Sequence, residues 1–229
     1  MSIADLPFWT LIPTTFFALI ASQFYIYRRR LRYIDTYSWP PGLVAKLRRH
    51  YPNLSPEQID GIGLGLKQFF RAYHRGAHLN VAMPSQAVDV LWHEFILYTK
   101  AYDGFCRRAF GRFLHHTPAA VLKPGQNKTN EGLRRVWWQA CKEERIDPKS
   151  PVALPLLFAI DSDLNISNGY RYVPDCGSVR TVSTTVGIEF STQCGGDFSS
   201  TSFDGGTDGL GDGDGGSGDG DGGGCGGGD

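Results

Sequence analysis

Three histidines and one cysteine, whose side chains can bind a metal or transfer a proton, lie within residues 88–118, VDVLWHEFILYTKAYDGFCRRAFGRFLHHTP. They are His93, Cys106, His115 and His116. Histidine nitrogens and cysteine thiolates are the usual protein ligands of zinc, and imidazole also suits iron. The stretch therefore offers these four residues as candidate metal ligands, with zinc or iron as the candidate cofactor.

The spacing of these residues limits which of them could act together. Asp89 precedes His93 by four positions, so on a helix the two share a face and the carboxylate could orient the imidazole. Successive side chains on a helix diverge by about 100°, so His115 and His116 cannot both face one ion from a regular helix. Thr117-Pro118 indicates that the helix ends there, which relaxes this limit.

Two other interpretations of the same residues remain open. Cys106 and a histidine could form a nucleophile–base pair, although the apolar spacing around Cys106 is typical of a core position. The histidines could instead hydrogen-bond across packed helices and close the ends of the core. No catalytic residue can be named, and no G-x-S-x-G, P-loop or Rossmann fingerprint is present.

The elements that would position these residues are helical. Ser85 is a helix N-cap before residue 88, and Ser55, Pro56 and Gln58 form a capping box ahead of a long apolar face. Residues 131–147 and the short apolar run ALPLLFAI predict two further helices. His74 and His78 are four apart and could chelate a metal, but they are better explained as exposed residues at a frayed helix end. The fold class is mainly α, with a small helical bundle.

The N-terminus predicts a membrane anchor. Residues 6–27 contain no charge, about 20 apolar residues span a bilayer, and RRRLR follows at once. A cleaved signal peptide and a buried helix are the competing interpretations. The positive-inside rule predicts a single pass in the inner membrane, with the N-terminus outside and the body cytoplasmic. Anionic lipid could contact the flanking basic residues, which are Arg28, Arg29, Arg30 and Arg32.

The charges of the chain are segregated, although its net charge is zero. All Lys and Arg lie at or before Arg180, so the body carries about +9 and the remainder about −9. We therefore divide the chain into an anchor (1–32), a helical domain (33–180) and a disordered Gly/Asp/Ser-rich tail (181–229). The acidic tail could bind a basic protein partner. Nucleic acid is an unlikely ligand, since the membrane-flanking cluster explains much of the basic charge.

The five cysteines are odd in number and widely spaced, without a C-x-x-C pair. This usage indicates a reducing compartment, because secreted disulfide frameworks are even in number and denser. It agrees with a cytoplasmic body.

One sequence pattern resembles a known family. Asp89, Trp92-His93, Leu97, Tyr102, Cys106, Gly111 and Leu114-His115-His116, with residues 132–176 and the glycine-rich end that contains Cys225, are similar to bacterial members of the glycine-rich domain-containing protein family. The resemblance implies a small helical domain with a glycine-rich tail and no established activity. Some relatives carry W-H-x-H, whereas the second histidine position is Phe95 here.

The sequence thus supports two functional hypotheses. The first is a membrane-anchored interaction or scaffold module without catalytic activity. The alternative is a metal-dependent or thiol-dependent enzyme that uses the His/Cys cluster.

Overall fold

The protein is mainly helical, as its sequence predicts. The computed structural model describes residues 8–116, 131–174 and 193–198. These ranges contain α1 (Phe8–Thr36), α2 (Leu43–His50), α3 (Pro56–Arg75), α4 (Gln86–Leu97), α5 (Thr99–Ala109), α6 (Glu131–Glu144) and α7 (Leu156–Asp163). A two-residue strand β1 (Tyr172–Val173) pairs in parallel with β2 (Gln193–Cys194), and a 3-10 helix, Gly195–Phe198, follows.

Helix α3 is the central element and packs against α1, α4, α6 and α7. It begins with the predicted capping box: the amide of Gln58 donates to Ser55 Oγ at 3.2 Å, and the amide of Ser55 donates to Gln58 Oε1 at 2.8 Å. Gly65 costs this helix about 1 kcal/mol relative to alanine. The structure explains its presence, because a β-carbon there would lie 2.9 Å from Val88 Cγ2 on α4. The glycine thus lets α3 and α4 approach closely.

Only the C-terminal part of α1 packs against the body. Ile34 is buried and Tyr33 contacts the ring of Phe105, whereas every side chain described from Thr15 to Arg29 is exposed. None of the helices in the described ranges combines the length and the apolar character needed to cross a membrane. The single span predicted over residues 6–27 is therefore not supported by the structure.

The chain returns to the body beyond the predicted domain boundary at residue 180. Phe198 is buried against the rings of Trp137 and Phe158, and Trp138 Nε1 donates to its carbonyl oxygen at 3.1 Å. Residues 193–198, assigned above to the disordered tail, thus belong to the folded body. The rest of the tail, with the partner role predicted for it, lies outside the described residues.

The reducing compartment predicted from the cysteine spacing implies unpaired thiols, and the structure agrees with this expectation only in part. Cys106 and Cys141 are free and buried in the core. Cys194, in β2, is disulfide-bonded. The expectation is therefore wrong for Cys194, whose partner lies outside the described residues.

Candidate functional site

Helix α4 carries Asp89 and His93, two of the residues singled out in the sequence. The buried carboxylate of Asp161 holds the first turn of this helix. Ser85 Oγ accepts from the amide of Val88 at 3.1 Å and donates to Asp161 Oδ1 at 2.7 Å. Asp161, on α7, also accepts from the amides of Gln86 and Ala87 at 2.7 and 3.1 Å. Free amides at a helix N-terminus favour a carboxylate acceptor. Asp161 therefore holds the turn from which Asp89 projects.

A second network brings the segment after α5 back to α4. Helix α5 ends at Ala109, earlier than the Thr117-Pro118 signal predicts. At Gly111, φ is +78° and the amide donates to Cys106 O at 3.2 Å, so the chain turns away from the helix axis. Trp92 Nε1 donates to the Tyr102 hydroxyl at 3.1 Å, and that hydroxyl donates to Leu114 O at 2.7 Å. These buried bonds tie residue 114 to α4 and place His116 beside it.

Asp89, His93 and His116 converge as a result. Asp89 Oδ1 lies 3.1 Å from His116 Nε2, and Asp89 Oδ2 lies 3.3 Å from His93 Nδ1. The two imidazole rings lie 4.2 Å apart between centroids. One ligand atom from each residue lies within 4.8 Å of the others. For tetrahedral zinc with bonds of about 2.0 Å, neighbouring ligand atoms lie about 3.3 Å apart, so the three groups can converge on one ion with small adjustments.

The surroundings orient the rings and leave one side open. The backbone carbonyl of Asp89 lies 2.8 Å from His93 Nδ1 and can only accept, so in the metal-free protein this nitrogen is the donor. His93 would bind a metal through Nε2, or through Nδ1 once this hydrogen bond breaks. The His116 ring packs on buried Trp92 at 4.5 Å between centroids. The side chain of His93 is 52% exposed, against 22% for Asp89 and 17% for His116. Solvent therefore reaches the group from the His93 side.

Two tyrosines and a groove lie near Asp89. Burial, followed by the charges of Asp89 and Asp161, raises the pKa of both Tyr51 and Tyr170. An open cavity of about 410 Å³ lies beside α4. Polar side chains in its lining are His50, Tyr51, Asn53, Asn165, Ser167 and Asn168. Val90, which follows Asp89 in the chain, also lines it, whereas Asp89, His93 and His116 do not.

Cys106 and His115 do not join this group. Cys106 is fully buried on α5, and burial raises the pKa of its thiol. His115 is exposed and packs on the ring of Phe113 at 4.7 Å. Of the five residues singled out in the sequence, the structure brings together Asp89, His93 and His116. Asp89 offers an oxygen directly to this group, beyond the orienting role predicted for it.

The expectation that His74 is exposed at a frayed helix end is wrong. Its side chain is 5% exposed, its Nδ1 lies 3.1 Å from His78 Nε2, and its ring stacks on Tyr27. The last turn of α3 is packed because α1 covers it. The two imidazoles form a pair inside the molecule, away from the group around Asp89.

Sequence reasoning missed the residues that support the site. No role is predicted for Asp161 from the sequence, and Tyr102 is named there only in the family resemblance. Tyr102 carried a usable signal, since a buried hydroxyl needs a partner. Asp161 accepts hydrogen bonds from Ser85, Gln86 and Ala87. These residues precede it by 74 to 76 positions, and no local sequence pattern encodes contacts over such a separation.

Comparison with known proteins gives a family match, and the whole of this site lies inside the matched region. A family model matches residues 29–198, about three quarters of the chain. The chain belongs to the UCP032817-like family. The matched region ends at Phe198, which is the last residue of the 3-10 helix and of the described residues. The resemblance to glycine-rich domain proteins is not addressed by this match and stays a prediction. No curated protein and no solved structure matches the chain.

Proposed function

We propose that this UCP032817-like protein binds a divalent transition metal, zinc or iron(II), through Asp89, His93 and His116. The observation that supports the proposal is the convergence of three ligand atoms within 4.8 Å, drawn from a helix and a separate chain segment. Two imidazoles and one carboxylate form a donor set used by catalytic zinc sites and by non-haem iron sites. Acidic surface clusters lack these nitrogen ligands.

The proposed site has the character of a reactive metal centre rather than a structural one. Structural zinc is enclosed by four protein ligands, whereas catalytic zinc keeps a position for water or substrate. Three protein ligands and an exposed His93 leave such a position on the solvent side. Metal-assisted hydrolysis is the reaction class that this arrangement supports.

The same three residues could instead form a metal-free hydrogen-bonded group, with Asp89 accepting from both rings. The two interpretations differ in metal affinity. We would strip the full-length protein with a chelator and titrate it with Zn²⁺ by calorimetry and with Co²⁺ by visible absorption. One equivalent should bind, and Asp89→Asn, His93→Gln and His116→Gln should each weaken binding at least about tenfold, as loss of one ligand predicts.

The chain provides matched controls for this experiment. His115→Gln changes the exposed neighbour of His116, and Cys106→Ser changes the buried thiol. Both variants should keep full metal affinity because neither residue lies in the group. Absence of stoichiometric binding, or equal losses in His115→Gln and His116→Gln, would reject the metal site and favour the hydrogen-bonded group.

A second function is favoured by α1. Its exposed part carries large apolar side chains, among them Phe16, Phe17, Leu19, Ile20 and Phe24, each at least half exposed. Contiguous apolar surface of this kind marks a membrane or protein contact. We infer that this segment attaches the domain to a bilayer, with the adjacent arginines at the headgroups.

Vesicle flotation tests this attachment with the full chain. Replacing Phe16, Phe17 and Phe24 together by Asn should release the protein from vesicles. Val152→Asn, at an exposed apolar residue of the body, should have no effect. If the triple variant floats as the wild type does, α1 is not the membrane contact.

A further inference from the structure

A second group of ionisable side chains lies where α1 crosses the C-terminal ends of α3 and α5. His74 and His78 form the bonded pair described above. Tyr27 of α1 stacks on His74 at 5.0 Å, and the ring of Phe110, at the end of α5, lies 6.1 Å from that of His78. The group thus sits at a junction of three elements and is separate from Asp89, His93 and His116.

Arg30 reaches into this junction from α1, one turn beyond Tyr27. Its guanidinium lies against the backbone at Gly111, where a β-carbon would be 3.2 Å from Arg30 Cζ and would overlap the nearer nitrogen. Gly111 therefore serves two purposes. It adopts the left-handed turn after α5, and it leaves space for the arginine.

Arg112 follows Gly111 in the chain and so adds a second guanidinium next to the one that contacts Gly111. The charges at the junction that have no ion-pair partner among the described residues are all positive. The pKa of His78 is lowered by burial and then by Arg112 and Arg30. The pKa of His74 is lowered by burial, His78, Arg30 and Arg75, whereas a hydrogen bond to the Tyr27 backbone raises it. Arg75 is paired with Glu143. Within the described ranges, neither Arg30 nor Arg112 has a carboxylate within ion-pair distance.

Helix ends offset only part of this charge. The C-termini of α3 and α5 each contribute about half a negative charge, which explains why cations collect here. Two arginines still leave an excess of about one positive charge on this estimate. An anion of matching shape would balance it, and planar guanidinium groups bind phosphate oxygens in pairs.

We propose that Arg30, Arg112 and His78 form a binding site for a phosphate group, either free or in an acidic lipid headgroup. The lipid source is favoured by position, because Arg30 lies three positions after Tyr27, the last exposed apolar residue of α1. That preference rests on the membrane attachment proposed above, whereas the phosphate site itself does not. A bound phosphate favours the protonated imidazole, so it raises the pKa of His78.

The test uses full-length protein in a neutral detergent. Histidine resonances are followed by NMR during titration with inorganic phosphate, with chloride as the control anion. We expect phosphate to raise the pKa of His78, and Arg30→Gln/Arg112→Gln to lower phosphate affinity at least tenfold. Arg107→Gln, at an exposed arginine paired with Asp103, should bind phosphate as the wild type does. Arg30→Lys/Arg112→Lys keeps the positive charges but loses the planar guanidinium groups, so it should bind phosphate with intermediate affinity.

A second arm separates the two sources of phosphate. Flotation is measured with vesicles of phosphatidylcholine alone and with an equal mixture of phosphatidic acid and phosphatidylcholine. A loss of the acidic-lipid preference in the Gln double variant identifies a headgroup site, and an unchanged preference with lost phosphate binding identifies a soluble phosphate. Wild-type protein whose His78 resonance does not respond to phosphate, together with an unchanged lipid preference in the double variant, would overturn the proposal.

Discussion

The Asp89 carboxylate and the His116 imidazole lie 3.1 Å apart, although 27 positions separate them in the chain. Asp89 projects from the first turn of α4, and His116 follows the turn of the chain at Gly111. Their separation therefore reports the packing of α4 against the segment after α5. Any change that loosens either support should disturb the candidate metal site before it disturbs the rest of the fold.

Asp161→Asn should be the clearest case of such a change. The Asp161 carboxylate accepts from Ser85 Oγ and from the amides of Gln86, Ala87 and Tyr170. An amide nitrogen on one side would face donors and leave them unsatisfied, at about 1–3 kcal/mol each. We expect the free energy of unfolding to fall by about 3 kcal/mol, measured by urea denaturation.

The same variant should also weaken Zn²⁺ binding, because the first turn of α4 would lose its anchor. Asp163→Asn removes the same charge from an exposed position of α7 and is the matched control. A native-like stability in Asp161→Asn would show that the buried carboxylate does not hold α4.

Part of the site was predictable because helices have a fixed period. The four-residue spacing of Asp89 and His93 places them on one face, and the structure keeps them together. The choice between His115 and His116 was not predictable. It depends on the direction in which the chain leaves Gly111 and on the Tyr102 bond to Leu114, which are tertiary features.

The helices were predictable where local signals agree, as in the Ser55 capping box and the apolar run of α7. The burial of His74 was not predictable, because it arises from the crossing of α1 over α3. The packing of Phe198 was hidden for a similar reason: its partners on α6 and α7 lie 40 or more positions earlier, and the surrounding Gly and Ser residues favour disorder.

Cys106 should be unreactive in the native protein. Burial raises the pKa of its thiol, so less thiolate is present at a given pH, and no solvent reaches the sulfur. Cys141 is similarly buried, and its pKa is raised to about 12. We expect Ellman's reagent to modify neither thiol until urea unfolds the protein, as located by peptide mass mapping. Rapid modification of Cys106 by Ellman's reagent in the folded protein would support the hypothesis of a thiol-dependent enzyme.

His74 should make stability depend on pH. Burial first, then the charges of His78 and Arg30, lower its pKa from 6.5 to about 4. Between these values the unfolded chain binds a proton and the folded chain does not, so stability is lost as the pH falls from about 6.5 to 4. The full effect is about 3 kcal/mol, and His78 adds to it in the same direction.

Urea denaturation at pH 7 and pH 5 measures this dependence. His74→Gln should reduce the difference in the free energy of unfolding between the two pH values. His115→Gln, at an exposed histidine, should leave that difference unchanged. An equal loss of stability in wild type and His74→Gln between these pH values would assign the dependence to other groups.

The Cys194 disulfide should report whether the body lies in an oxidising or a reducing compartment. Disulfides persist in oxidising compartments and are rare in the cytosol, so the bond opposes the cytoplasmic placement predicted from the positive flank of α1. We expect protein trapped with an alkylating agent directly in cells to gain two reactive thiols on reduction, as counted by mass. Cys194→Ala should gain none and, through looser packing of β2 and Phe198, should lose about 2–4 kcal/mol of stability. If the wild type gains no thiols on reduction, the cysteine is reduced in cells and the cytoplasmic placement is favoured instead.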